Sequence, residues 1–135
     1  MAERFEDLRA WQTARTLTNE VYVETGREEF EDDLVLKDQV RRASISVMSN
    51  IAEGFESRTR PQFINYLGQA KASAGEVRSQ FVVARDQEYV TQKDLEAVFD
   101  LAEKVSRQLY HLIQHLEQSG ESDRVHELPA EYISH

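Results

Sequence analysis

Apolar residues recur along most of the chain at intervals of three and four, the spacing of one α-helical face, and they divide it into four helical stretches. Over residues 5–25, Phe5, Leu8, Trp11, Ala14, Leu17 and Val21 define the first, with Gly26 as its C-terminal stop. The second, Leu36 to Glu56, carries two apolar faces. Leu36, Val40, Ala43, Val47, Ile51 and Gly54 make one, and Ile45, Met48, Ala52 and Phe55 make another beside it. At about 100° per residue these leave a polar stripe of Gln39, Arg42, Ser46, Asn50 and Glu53, too narrow for the solvated back of an ordinary surface helix. The pattern predicts a helix buried on two sides, one in the core of the chain and the other, through Ile45, Met48, Ala52 and Phe55, against another subunit.

The third stretch opens at Thr59, whose hydroxyl can cap the helix while Gln62 completes a capping box and Pro61 is tolerated in the first turn. Phe63, Leu67, Ala70, Ala74, Val77, Phe81 and Ala84 then follow in heptad steps. A second stripe, Gly68, Ala72, Gly75 and Ser79, is uniformly small. Glycine inside a helix costs on the order of 1 kcal/mol relative to alanine, so close approach of another helix is the expected compensation. Thr91 and Asp94 mark the start of the fourth stretch, whose seam is Leu95, Val98, Ala102, Val105, Leu109, Leu112 and Leu116, ending near Gly120. The expected fold is all-α: an up-down-up-down four-helix bundle over residues 1–120, its helices joined by short turns. Residues 121–135 form a polar tail expected to be either mobile or docked only through Val125, Leu128, Tyr132 and Ile133.

The chain of 135 residues fits one domain. It lacks cysteine, which removes disulfides, thiolate metal sites and a cysteine nucleophile, and it shows no signal peptide or membrane span, so a cytoplasmic protein is expected. With 16 Lys+Arg against 25 Asp+Glu the net charge is −9, which as a whole repels polyanions. One basic row stands against this field: Arg60, Lys71, Arg78 and Arg85 fall within about 40° of one another around the third helix, with Arg58, Lys37 and Arg41 as candidate neighbours. Salt bridges to the abundant acids are the preferred reading of that row, and nucleic-acid contact is the alternative. The acidic run around Phe30 reads as loop and helix-start chemistry, with Asp32 or Asp33 as cap, because it lacks the ligand spacing and internal glycine of a calcium loop.

Three segments resemble a known family. Phe5-Glu6-Asp7-Leu8 with Trp11, then Asp38-Gln39-Val40-Arg41-Arg42-Ala43 leading into Ser49-Asn50-Ile51-Ala52-Glu53-Gly54-Phe55, and finally Phe63, Tyr66-Leu67, Ala70-Lys71, Ser73 and Glu76, resemble the bacterial four-helix bundle proteins called 23S ribosomal RNA intervening-sequence proteins. These are kin to the accessory variability determinant of diversity-generating retroelements. The likeness spans about residues 5–118, departing at Ala72, where the family often has glycine. It implies a ring-like homopentamer with no known enzymatic activity. The retroelement kin are basic and bind nucleic acid together with a reverse transcriptase, a property from which this acidic chain departs.

Candidate chemistry is sparse. The stripe Gln39, Arg42, Ser46, Asn50 and Glu53 offers no nucleophile and base pair, and it reads as a hydrogen-bonded assembly network, because unpaired buried polar groups cost roughly 1–3 kcal/mol each. His111 and His115 have a metal-chelating spacing but project away from the leucine seam, with no third ligand nearby. Only Asp123-Arg-Val-His126 in the tail approximates a di-iron motif, and phosphate-binding and hydrolase motifs are missing. The reading is a non-enzymatic bundle that self-assembles, without cofactor or metal, as a scaffold or adaptor for a protein or ribonucleoprotein. The alternatives are a nucleic-acid-binding module using the third helix and a small-molecule or metal site within the assembly.

Overall fold

The computed structural model describes residues 2–118 and 127–135. Four helices carry the fold: α1 (Arg9–Thr25), α2 (Leu34–Phe55), α3 (Arg60–Asp86) and α4 (Gln92–Gln118). Each packs mainly on two neighbours, α1 and α3 both lying against α2 and α4. Short connections of 26–33, 56–59 and 87–91 make the arrangement an antiparallel four-helix bundle. No helix among the described residues is long and apolar enough to cross a membrane.

The predicted seams are the core. Leu17, Val21, Val47, Ile51, Phe63, Leu67, Val77, Phe81, Val105 and Leu109 are all fully buried. Helix starts follow the expected chemistry. Asp33 accepts from Leu36 N at 3.1 Å, Thr59 from Gln62 N at 3.3 Å, and Thr91 and Asp94 exchange reciprocal bonds of 3.1 and 3.0 Å. Gln62 reaches back to Arg58 N rather than to the cap residue. The acidic connection is pinned by Phe30, buried against Tyr89 with ring centroids 5.1 Å apart, while Tyr89 OH donates to Asp33 at 3.0 Å.

Two features depart from the expected pattern, and the tail takes the docked one of its two expected arrangements. The first helix begins at Arg9, preceded by a 3₁₀ turn at Phe5–Asp7, because Leu8 is extended and bridges Ile133 from the far end of the chain. The tail residues 127–135 therefore dock: Leu128 and Ile133 are buried, Tyr132 is partly buried, and Ser134 N donates to Asp7 O at 2.8 Å. Gly120, Val125 and the Asp123–His126 pair lie outside the described residues. The second departure concerns glycine. Among the described residues nothing lies within 4 Å of a Cβ added at Gly68 and only Arg78 within 4 Å of one at Gly75, so none of the four helices approaches the small stripe at its glycines. The close approach is at Gly54, where an added Cβ would lie 2.9 Å from Phe63 Cδ1 and Tyr66 Cβ.

Candidate functional site: the outer faces of the second and third helices

On α2 the core-facing residues Leu36, Val40, Ala43, Val47, Ile51 and Gly54 leave two shoulders, one beside α1 and one beside α3. The polar stripe occupies the α3 shoulder. Ser46 and Asn50 are bonded there: Asn50 Nδ2 donates to Ser46 O and Oγ at 2.9 and 3.0 Å, and Ser73 Oγ of α3 donates to Ser46 Oγ at 3.0 Å. Gln39, Arg42 and Glu53 are exposed and take no part in this network. Arg42 instead faces Asp38 at 3.6 Å with its side chain 80% exposed, a pair of small energetic weight. Gln39, Arg42, Ser46 and Ser73 border a groove of about 360 Å³ between α2 and α3. The buried Gln80 Oε1 at its edge has no hydrogen-bond partner.

The apolar candidates occupy the other shoulder. Ile45 is 42% exposed, with Met48 and Ala52 partly exposed along the same edge; Tyr22 of α1, 41% exposed, packs under Arg41 one turn before Ile45. Phe55 must be removed from this group. It is 1% exposed and meets Phe63 edge-on at 6.3 Å, so the core of the single chain already covers it. The second apolar face of α2 is thus three residues long and half open, rather than the fully buried surface expected.

The basic row is divided by its surroundings. Lys71 and Arg78 border a groove of about 380 Å³ shared with Glu103, Arg107 and Tyr110 of α4. Arg85 is held by Gln92 at 2.6 Å and Asp86 at 3.2 Å. Arg60 is partly buried beyond Pro61, and Arg41 lies on the far side of α2, stacked over Tyr22 at 4.3 Å and donating to Thr25 Oγ1 at 2.8 Å. His111 is exposed beside Tyr110, whereas His115 is half covered by Tyr132, ring centroids 5.5 Å apart. Among the described residues no three His, Asp or Glu side chains come together to hold a metal.

Two buried polar sites escaped the pattern. Thr18 Oγ1 donates to Ala14 O at 2.9 Å and Ser44 O at 3.1 Å, joining α1 to α2 inside the bundle. Both residues sit within apolar faces at helical spacing, the signal that could have found them. Glu24 is 3% exposed, with Arg27 Nε 3.1 Å from its carboxylate, and Arg27 reaches Asp94 at 3.3 Å. Burial raises the Glu24 pKa, helped by the charge of Asp94 and opposed by Arg27. Asp94 is shifted down, chiefly by the hydrogen bond from Thr91 N–H.

A solved structure supports the fold. The bundle superposes with TM-score 0.71 on a crystal structure from Bacteroides thetaiotaomicron, described as a protein with unknown function from the S23 ribosomal protein family. The two are 21% identical, and the match covers 78% of this chain and 98% of the other. No curated protein matches the chain. The family model of the 23S rRNA-intervening sequence proteins matches residues 6–111, from the 3₁₀ turn before α1 into the last turns of α4, and the chain belongs to that family.

Proposed function

We propose that this chain is a non-enzymatic subunit that self-assembles, through the outer faces of α2 and α3, into a closed ring of five serving as a scaffold for a protein or ribonucleoprotein. The observation that carries the reading is the uncompensated small stripe of α3. Gly68, Ala72, Gly75 and Ser79 turn directly away from the bundle, and among the described residues nothing approaches Gly68. Two helical glycines weaken α3 by on the order of 1 kcal/mol each, and a helix of a second copy seated on them would offset that cost. The α1 side of α2 supplies a matching ridge in Tyr22, Ile45 and Met48. A ridge and a groove on different faces of one chain make a head-to-tail contact, the kind that closes rings. The number five follows from the family resemblance.

Nucleic-acid binding through Arg60, Lys71, Arg78 and Arg85 has weaker support, since Arg85 is paired and Lys71 and Arg78 share their groove with Glu103. Multi-angle light scattering of the full chain should give five times the 15.7 kDa subunit mass. Ile45→Glu should reduce it to a single subunit with unchanged helical circular dichroism. A single-chain mass for the unmodified protein would overturn the proposal.

A further inference from the structure

Between α1 and the middle of α4 lies a cleft of about 380 Å³, lined by Arg9, Gln12, Thr13 and Thr16 from one helix and Lys104 and Gln108 from the other, with Ser134 of the docked tail at its rim. Among the described residues no carboxylate lines it; Glu131 borders the adjoining cleft on the other side of Arg9. That is unusual in a chain of net charge −9. Among the described residues Arg9 and Lys104, like Arg15, Lys71 and Arg78 elsewhere, have no acidic neighbour within ion-pair distance, and here the two cations border one cleft.

The wall is built. Arg9 Nε donates to Ile133 O at 3.1 Å, which fixes the guanidinium and leaves its terminal nitrogens for the cleft. Gln12 Nε2 is held by Glu6 O and Ser134 O at 2.8 and 2.6 Å. Thr13 is 7% exposed, and among the described residues its hydroxyl makes no hydrogen bond although it borders the cleft. Gln108 Oε1 is buried and also without a partner. Turning that amide by half a turn presents its NH₂ instead, an assignment that a hydrogen-bond acceptor in the cleft would decide. Two cations and the Thr13 hydroxyl bordering one cleft favour a ligand that accepts hydrogen bonds and carries negative charge.

We infer that this cleft binds a small phosphate, held by the Arg9 terminal nitrogens, the Lys104 ammonium, the Thr13 hydroxyl and the Gln108 amide. Charge-assisted bonds from a guanidinium and an ammonium suit a dianionic oxyanion. A cleft of about 380 Å³ also exceeds a bare phosphate and has room for the group a monoester carries. The site is independent of assembly, since it uses α1, α4 and the tail rather than the outer faces of α2 and α3.

Calorimetric titration of the full chain in chloride buffer, with inorganic phosphate in one arm and adenosine 5′-monophosphate in the other, tests this. Saturable binding is expected in at least one arm, and tighter binding of the nucleotide identifies a monoester rather than the free anion as the ligand. Lys104→Gln, on an exposed side chain, should weaken binding roughly tenfold, the loss of one charge-assisted contact. Thr13→Val should weaken it without lowering the melting temperature. Lys93→Gln, which removes an exposed cation at the start of α4, should bind as the unmodified protein does. No saturable binding in either arm, or equal weakening by Lys104→Gln and Lys93→Gln, would overturn the inference.

Discussion

A methyl group at Gly54 would meet Phe63 Cδ1 and Tyr66 Cβ, each at 2.9 Å, and the Phe63 carbonyl at 3.3 Å. Phe63 is fully buried and edge-on to Phe55, so its ring has little room to retreat. Overpacking of this kind costs typically about 1–3 kcal/mol, against roughly 1 kcal/mol gained from replacing a helical glycine by alanine. Gly54→Ala should therefore lower the melting temperature by several degrees, and an unchanged or higher value would show that α2 and α3 separate easily at this level. The pattern placed Gly54 on the core face but assigned the close approach to Gly68 and Gly75. Spacing identifies a helical face, whereas which glycine another helix crosses depends on where that helix comes nearest.

Glu24 and Asp94 give the same scale a pH dependence. The folded-state pKa of Glu24 is raised, chiefly by burial, so its contribution is fully present below the ordinary glutamate value and is lost as pH rises through the folded value. Asp94 is the reverse: its lowered pKa contributes stability above the ordinary aspartate value and loses it as pH falls. Melting curves between pH 3 and about pH 7 should show Glu24→Gln gaining on the unmodified protein with rising pH, and Asp94→Asn losing ground over the acidic part of that range. Parallel curves for Glu24→Gln would mean that Arg27 cancels the burial. Glu24 lay within a helical stretch that the apolar pattern described without it, since a periodicity of apolar residues carries no sign of a buried acid.

At the scale of elements, the caps and seams were legible because each depends on residues a few positions apart. The Thr59 cap, Thr91 with Asp94 and the leucine seam of α4 are local patterns and fall where expected, whereas the Gln62 side chain turns to Arg58 N instead of closing a capping box. The break at Leu8 was not legible, because it is made by Ile133 at the other end of the chain. The end of α3 shows how an element can be well placed and still strained. Glu88 N donates to Arg85 O and Tyr89 N to Ala84 O, both at 2.9 Å, the paired bonds of a Schellman turn, with Glu88 at φ 66°. A non-glycine residue in the left-handed region costs roughly 1–2 kcal/mol, part of which glycine returns as greater freedom of the unfolded chain. Glu88→Gly should stabilise the bundle by about 0.5–1 kcal/mol in urea denaturation, with an unchanged slope. Destabilisation would mean that the Glu88 side chain holds the turn.

For the whole molecule, the two outer faces discriminate a subunit from a finished monomer. In a lone chain Gly68 stands in open space, and alanine there should only strengthen α3, by on the order of 1 kcal/mol. If a second copy's helix lies on Gly68, Gly75 and their small neighbours, the same methyl group separates the helices and weakens assembly. The signs are opposite, so one substitution distinguishes the two. Assembly adds a second signature: partners that bind only the folded chain raise its melting temperature with protein concentration. The unmodified protein should show that dependence, while Gly68→Leu and Ile45→Glu should abolish it and melt at one temperature throughout. Ile45 is 42% exposed, so its substitution removes no core contact, and its loss of concentration dependence would locate the ridge. A concentration-independent melt of the unmodified protein, with Gly68→Ala more stable, would leave the small stripe as solvent-facing surface and the bundle as a monomer.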